Sequence, residues 1–347
     1  MKLRLATNSR LAIVLPIVLM SLPPHTVLGA ENPKLEYRKN SVYALEMRNN
    51  NPLFSIYGIP RPGNARLVPA GKQQYSLTTE VSSFYAIEKS ASERFEADGE
   101  TYTYVFSWRY GVTQRLQVGL DIPYIRYTGG TLDGFINEWH EFFDLAEGGR
   151  NVVPNDRLLI RYERSGQVLL NHQTASRGIG DISINAAWQT QRSQHEAWAV
   201  NFNLNLPSGD SQQFQSNGYT DAAVWIQHHN ETLFYELTAG YFYGIGLNYV
   251  EDSDTLPQFL NHWAGFGNLG AGVHLTPNVV FISQLDIHTP LYSGPEVNDL
   301  SGYGVQLSLG GRINTHRNGQ LHLSVGEDLV LDVSPDVTFH LRYEWRL

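Results

Sequence analysis

The last eleven residues, Val337 to Leu347, read V-T-F-H-L-R-Y-E-W-R-L. Val337, Phe339, Leu341, Tyr343, Trp345 and Leu347 share one face of an extended strand, and Thr338, His340, Arg342, Glu344 and Arg346 share the other. A soluble strand packs its apolar face on a core and shows its polar face to water. A strand that crosses a membrane in a β-barrel turns the apolar face to lipid and the polar face to a lumen. An aromatic-rich stripe opposite two arginines and a glutamate, ending the chain, fits the second arrangement. The fold class expected is all-β: a membrane-spanning antiparallel up-and-down β-barrel.

The other end of the chain points to the same compartment. Lys2, Arg4 and Arg10 precede the apolar run Leu11 to Leu22, and Pro23-Pro24 leads to the small-residue site Val27-Leu28-Gly29-Ala30. Residues 1–30 therefore read as a secretory signal peptide, too short in its apolar run for a spanning helix of about 20 residues. Its removal takes three basic residues and no acidic one, moving the formal charge from −9 to −12. A surface this acidic argues against a nucleic-acid partner. With no cysteine in the chain there is no lipoprotein acylation site, no disulfide and no thiolate metal site. Only 42% of residues are hydrophobic, as expected where half of each strand faces water.

Residues 31–71 lack sustained alternation and carry the breakers Asn51-Pro52, Gly58-Ile59-Pro60 and Arg61-Pro62-Gly63. They read as an N-terminal extension, in the periplasm or folded into the lumen as a plug, and Phe54 and Tyr57 need burial somewhere. Residues 72–347 read as the barrel. Period-two alternation gives twelve strand candidates. They begin at Gln74, and Tyr102 to Tyr110 and Leu116 to Tyr124 follow. Next come Asp181 to Gln189, Trp198 to Leu206, Asp221 to His228 (ambiguous in register) and Tyr235 to Tyr243. Trp263 to Leu275, Val279 to His288, Tyr303 to Ile313, Gln320 to Gly326 and the C-terminal stretch complete the set. Long and short connections alternate between them, the pattern of extracellular loops and periplasmic turns. Strand counts of 10, 12 and 14 stay open, with about 12 the best fit to the alternation.

The connection Ile125 to Gly180 is too long for a structureless loop and requires a fold or a role. Within it residues 132–145 have helical spacing, with Leu132, Phe135, Ile136, Trp139, Phe142 and Phe143 along one side. This short amphipathic helix, with Phe135, Trp139, His140 and Phe142, is a candidate constriction if it lies against the lumen wall. The sequence resembles a family of proteobacterial outer-membrane proteins called domain of unknown function 3187. The resemblance rests on Asn51-Pro52-Leu53 with Gly58-Ile59-Pro60, the Asp133 to Phe142 segment with Trp139-His140, Gly148-Gly149-Arg150, and Gly178-Ile179-Gly180-Asp181. It implies a signal peptide and an outer-membrane barrel, and carries no activity or catalytic residue to transfer. The C-terminal strand is also similar to the signal by which bacterial outer-membrane barrels are recognised for assembly, although Leu347 stands where Phe or Trp is usual.

Strand parity assigns Glu80, Arg109, Arg115, Asp121, Asp181, Glu236, Asp286, His288, Arg312, His340, Arg342, Glu344 and Arg346 to the lumen. Arg109, Arg115, Arg312 and Arg346 fall at periplasmic strand ends, and Asp121, Asp181, Asp286 and His288 at extracellular ends. Such a lumen either fills itself with ion pairs or passes polar solutes selected by rings of charge. The function expected is a narrow diffusion channel for small polar solutes in the outer membrane of a Gram-negative bacterium. Its partners would be membrane lipid and lipopolysaccharide, the barrel assembly machinery through Val337 to Leu347, and the solutes themselves. Two alternatives are an outer-membrane lipid hydrolase and a structural or adhesive barrel. The hydrolase would use His172 and Thr174, whose segment Asn171-His172-Gln173-Thr174 faintly resembles the His-x-Ser segment of outer-membrane phospholipase. No metal site or cofactor is expected: the acidic run Glu251-Asp252-Ser253-Asp254 lacks the spacing of a calcium loop, and no nucleotide-binding or zinc-protease motif occurs.

Overall fold

The computed structural model describes residues 41–132, 134, 156–234, 237–315, 318–330 and 333–347. Twelve antiparallel strands close into one barrel. In chain order these are β1 (Gln73–Lys89), β2 (Glu93–Gly111), β3 (Leu116–Thr128), β7 (Ile182–Arg192), β8 (Glu196–Leu206) and β9 (Asp221–Phe234). They continue as β10 (Leu237–Val250), β11 (Trp263–Thr276), β12 (Val279–His288), β13 (Gly304–Asn314), β14 (Gly319–Asp328) and β15 (Val337–Arg346). Each strand pairs with its neighbour in this order. The ring closes where β1 pairs with β15, from Gln74 opposite Arg346 to Ser83 opposite Val337. Closure leaves no ring strand with a free edge, the condition a sheet must meet to sit in lipid.

The packing of the wall is inverted relative to a soluble protein. Leu77, Ile245, Leu269, Leu309 and Leu341 are exposed, while Ser76, Thr78, Glu80, His322 and Arg342 are buried. Water would punish both halves of that pattern; lipid outside and a polar filling inside satisfy both. The register that alternation left ambiguous in Asp221 to His228 is clear here. Odd positions of β9, from Asp221 to Glu231, are buried inward, and Val224 and Ile226 face out.

One end of the ring carries the short connections, those between β2 and β3, β7 and β8, β9 and β10, β11 and β12, and β13 and β14, together with the start of β1 and the C-terminus. The other carries longer ones. At this loop end the structure departs from the strand reading in two places. What reads as a loop before Tyr102 is continuous pairing, because β1 and β2 run on together from Ser83 opposite Glu100 to Lys89 opposite Arg94. Charged residues there interrupt the apolar stripe once the strands pass out of lipid, so alternation ends although the ladder does not. The connection Ile125 to Gly180 also holds three strands: β4 (Leu159–Arg164), β5 (Gln167–His172) and β6 (Ser176–Ile179). The β4–β5 hairpin extends the sheet beside β2, and β6 pairs with the upper part of β3. Of the expected helix over 132–145 only Leu132 and Gly134 are described, so Phe135, Trp139, His140 and Phe142 lie outside the described residues. Residues 1–40 and Glu236 do so as well.

Candidate functional site: a polar lumen holding the N-terminal segment

Residues 41–71 run through the lumen. Their contacts fall on the inward positions of strands all round the ring, which an exterior segment could not reach. The first limb starts near the turn end, where the Val42 amide donates to Glu231 of β9 and the Tyr43 hydroxyl donates to Gln320 Oε1 of β14 at 2.9 Å. It rises past Gln284 of β12, whose side chain accepts from the Leu45 amide at 2.7 Å and donates to the Leu45 carbonyl at 3.1 Å. A one-turn helix, α1 (Pro52–Ser55), forms the crest, with Asn51 Oδ1 accepting from the Leu53 amide at 3.1 Å. The second limb descends to the turn end. There Gln189 Oε1 accepts from the Leu67 amide at 3.2 Å, Gln189 Nε2 donates to the Ala65 carbonyl at 2.7 Å, and Gln117 Oε1 accepts from the Val68 amide at 2.8 Å. An extended segment without a sheet partner still has to satisfy its backbone, and here wall glutamines do it.

The crest closes the loop end with apolar surface. Leu53, Phe54, Ile56 and Tyr57 are buried in one cluster with Phe214, Phe259, Leu291 and Tyr292 from the loops. The Tyr57 hydroxyl donates to that of Tyr292 at 2.9 Å, which in turn donates to the Leu53 carbonyl at 3.0 Å. Gly58 is where the crest touches the wall: its amide donates to Asp221 Oδ2 at 2.8 Å, and a β-carbon there would stand 2.8 Å from that of Asn205.

Between this segment and strands β1, β2, β3, β7, β8, β9 and β15 lies a cavity of about 130 Å³. Most of its charges are paired. Glu80, with no exposed surface, takes Arg61 from the segment and the His340 ring at 3.1 Å. Arg342 meets Glu46 of the segment at 2.8 Å and Glu344 at 3.4 Å, and Arg346 meets Glu344 at 3.3 Å. Arg109 grips Asp121 with both terminal nitrogens, at 2.8 and 2.9 Å. Asn185 donates to Asp121 at 2.8 Å and accepts from Asn203 at 2.9 Å, and Asn201 and Asn205 extend this amide ladder along β8. Asp181, just before β7, accepts from the Ser208 and Gly209 amides at 3.0 Å and the Ser216 hydroxyl at 2.9 Å. Burial nevertheless outweighs these donors and pushes its carboxyl up to about 6.

The remaining lumen candidates are spread out. Arg312 is buried beneath the first limb and away from this cavity. Asp286 and His288 line a smaller cavity on the opposite side of the segment. Asp286 accepts from Gln284 Nε2 at 2.9 and 2.8 Å, and His288 Nε2 meets Asn49 Nδ2 at 3.0 Å. Arg115 is exposed in the turn between β2 and β3, not on the wall, because the strand ends before it. His172, at the end of β5, packs edge-on to Phe214 with ring centroids 5.0 Å apart, its Nε2 has no partner among the described residues, and Thr174 is exposed. Burial lowers the His172 pKa. Strand parity did not single out Glu46, Arg48, Arg61 and Arg66, because they sit in a segment with no periodicity; its density of Arg, Asn and Pro was the signal available.

A closed ring with this inside-out packing is an outer-membrane type of β-barrel. The chain belongs to the family described as protein of unknown function (DUF3187), whose model matches residues 24–347. No curated protein matches it in sequence. Among solved structures it is similar to the COG4313 outer membrane channel from Pseudomonas putida F1, with a TM-score of 0.52 and 12% identity over 82% of this chain and 99% of that one. The NanC porin matches with a TM-score of 0.44 and 7% identity over 79% of this chain and 100% of that one. The toluene transporter TodX of P. putida matches with a TM-score of 0.33 and 8% identity over 80% of this chain and 89% of that one. At these identities the likeness concerns the fold.

Proposed function

We propose that this protein is an outer-membrane channel for small polar solutes in a Gram-negative bacterium, with residues 41–71 as its lumenal plug. The observation that carries the reading is the polar cavity inside the ring, closed at the loop end by the crest around Tyr57. A barrel whose only task was to stand in the membrane would have no need of an internal arginine-rich chamber, whereas a solute path needs one. The outer-membrane channel named above has the same kind of fold, which is consistent with this reading. In this orientation the short turns, residue 41 and the C-terminus face the periplasm, the long loops face outward among lipopolysaccharide, and Leu77, Ile245 and Leu341 meet lipid. The strand Val337–Arg346 would be the part offered to the assembly machinery.

The test is single-channel current in a planar bilayer, comparing the refolded mature protein with a variant in which residues 52–59 are replaced by a short Gly-Ser linker. The plugged protein should be silent or open rarely, and the variant should give steps of reproducible size. Silence from both proteins, each shown by heat-modifiable mobility to be folded, would overturn the channel.

A further inference from the structure

Six arginines and four carboxylates line the main cavity, in a chain whose formal charge is −9. Five of the arginines are engaged: Arg61 with Glu80, Arg66 with His229 at 2.9 Å and two turn carbonyls, Arg109 with Asp121, and Arg342 and Arg346 with Glu344. Arg48, in the first limb, is different. Among the described residues it has no ion-pair partner, its Nε has no hydrogen-bond acceptor, and it borders both lumenal cavities. Arg48 is half-buried. Glu80, Asp121 and Asp181 act on it only from beyond ion-pair distance and Arg61 opposes them as a neighbouring cation, so its guanidinium is costly to hold unless a contacting anion neutralises it. The lining of the same cavity holds a second unmet requirement: the buried Asn203, 3% exposed, has its Oδ1 without a donor among the described residues.

We propose that Arg48 and Asn203 form a binding site for a small hydroxylated organic acid, the carboxylate on the Arg48 guanidinium and a hydroxyl donating to Asn203 Oδ1. The planar fork of an arginine matches a carboxylate with two parallel hydrogen bonds. The amides of Asn185, Asn201 and Asn205 along the same wall offer further partners to a polar body. A cationic solute finds no uncommitted carboxylate on this wall: Glu46, Asp121 and Glu344 are paired with arginines, and Asp181 is tied to the loop amides. This deepens the channel reading by giving its chamber a solute class, and it is tested without measuring current.

Isothermal titration of the full mature protein in detergent, with sodium gluconate as probe and glucose as its uncharged counterpart, reads the site directly. Gluconate should bind saturably and glucose should not. Arg48→Gln should weaken gluconate binding about tenfold or more, the value of a charged hydrogen-bonded pair, while the exposed Arg115→Gln leaves it unchanged. Because Arg48 contacts no acceptor among the described residues, and burial and Arg61 outweigh its more distant carboxylates, Arg48→Gln should melt no lower than the parent, which separates lost binding from lost folding. Equal binding of glucose and gluconate, unchanged gluconate binding in Arg48→Gln, or no saturable gluconate binding by folded protein would each overturn the site. Gluconate binding together with silence in bilayers from both the parent and the variant with residues 52–59 replaced would keep the site and remove the channel.

Discussion

The guanidinium of Arg312 lies 3.3 Å from the centroid of the Tyr43 ring. The same group donates to the carbonyls of Ser41 at 3.3 Å, Tyr43 at 2.8 Å, and Ala44. A side chain that strand parity marks as a lumenal charge at the barrel mouth is thus a staple for the first limb of the lumenal segment. Lysine keeps the charge and loses the planar fork, so Arg312→Lys should loosen this limb at a cost of roughly 1.5–3 kcal/mol. Limited proteolysis should then cut near residues 41–47 faster than in the parent, with the barrel itself intact. Equal cleavage rates would show that Arg312 does not hold the limb.

Glu80 makes the equivalent link to the second limb. It is fully buried and is shared by Arg61 and His340. Glu80→Gln leaves Arg61 without its counterion and should destabilise the protein by about 3–5 kcal/mol. Arg61→Gln in the same background should recover much of that loss, because the orphaned charge goes too. Thermal unfolding of the two single variants and the double variant gives the coupling; additive losses would mean the pair is not a unit.

Gly58 tests how closely the crest must approach the wall. A β-carbon at this position would sit 2.8 Å from Asn205 Cβ and 2.9 Å from Asp221 Cβ, both parts of the rigid ladder. Gly58→Val should therefore lift the crest and break the 2.8 Å hydrogen bond to Asp221. In bilayers this variant should open more often than the parent, and hydrogen exchange should be faster at the amides of residues 53–58. Parental exchange at those amides would show that the wall yields instead.

The barrel was legible because lipid and lumen impose opposite demands on adjacent residues, and Val337 to Leu347 meets both without interruption. Twelve strands followed from the same alternation. That signal stops where the demand stops. Ser83 to Lys89 and Arg94 to Glu100 pair as well as any membrane-level residues, yet their neighbours on both sides are water or loop, so no stripe marks them. The lumenal segment is harder still. Leu53, Phe54, Ile56 and Tyr57 crowd one short stretch and pack in several directions against loops distant in sequence. Parity assigned Glu80, Arg342 and Glu344 to the lumen and was silent on which charges they meet, since Arg61 and Glu46 come from a chain with no period.

Asp181 gives a prediction with a definite sign in pH. Burial raises its folded-state pKa to about 6 from 3.8, so between about pH 4 and pH 6 the folded chain keeps a proton that the unfolded chain has lost. Its contribution is therefore fully present below about pH 4 and is lost as pH rises through about 6, amounting to roughly 3 kcal/mol at most. Asp181→Asn removes this dependence, while its altered hydrogen bonding to Ser208 and Gly209 adds an offset that does not vary with pH. The melting temperature of Asp181→Asn relative to the parent should therefore climb between pH 4 and pH 7, whatever its starting value. A relative melting temperature that falls over that range would mean that the amide and hydroxyl donors outweigh burial, and that Asp181 is held as a carboxylate anchoring the start of β7 to the loop of residues 207–220.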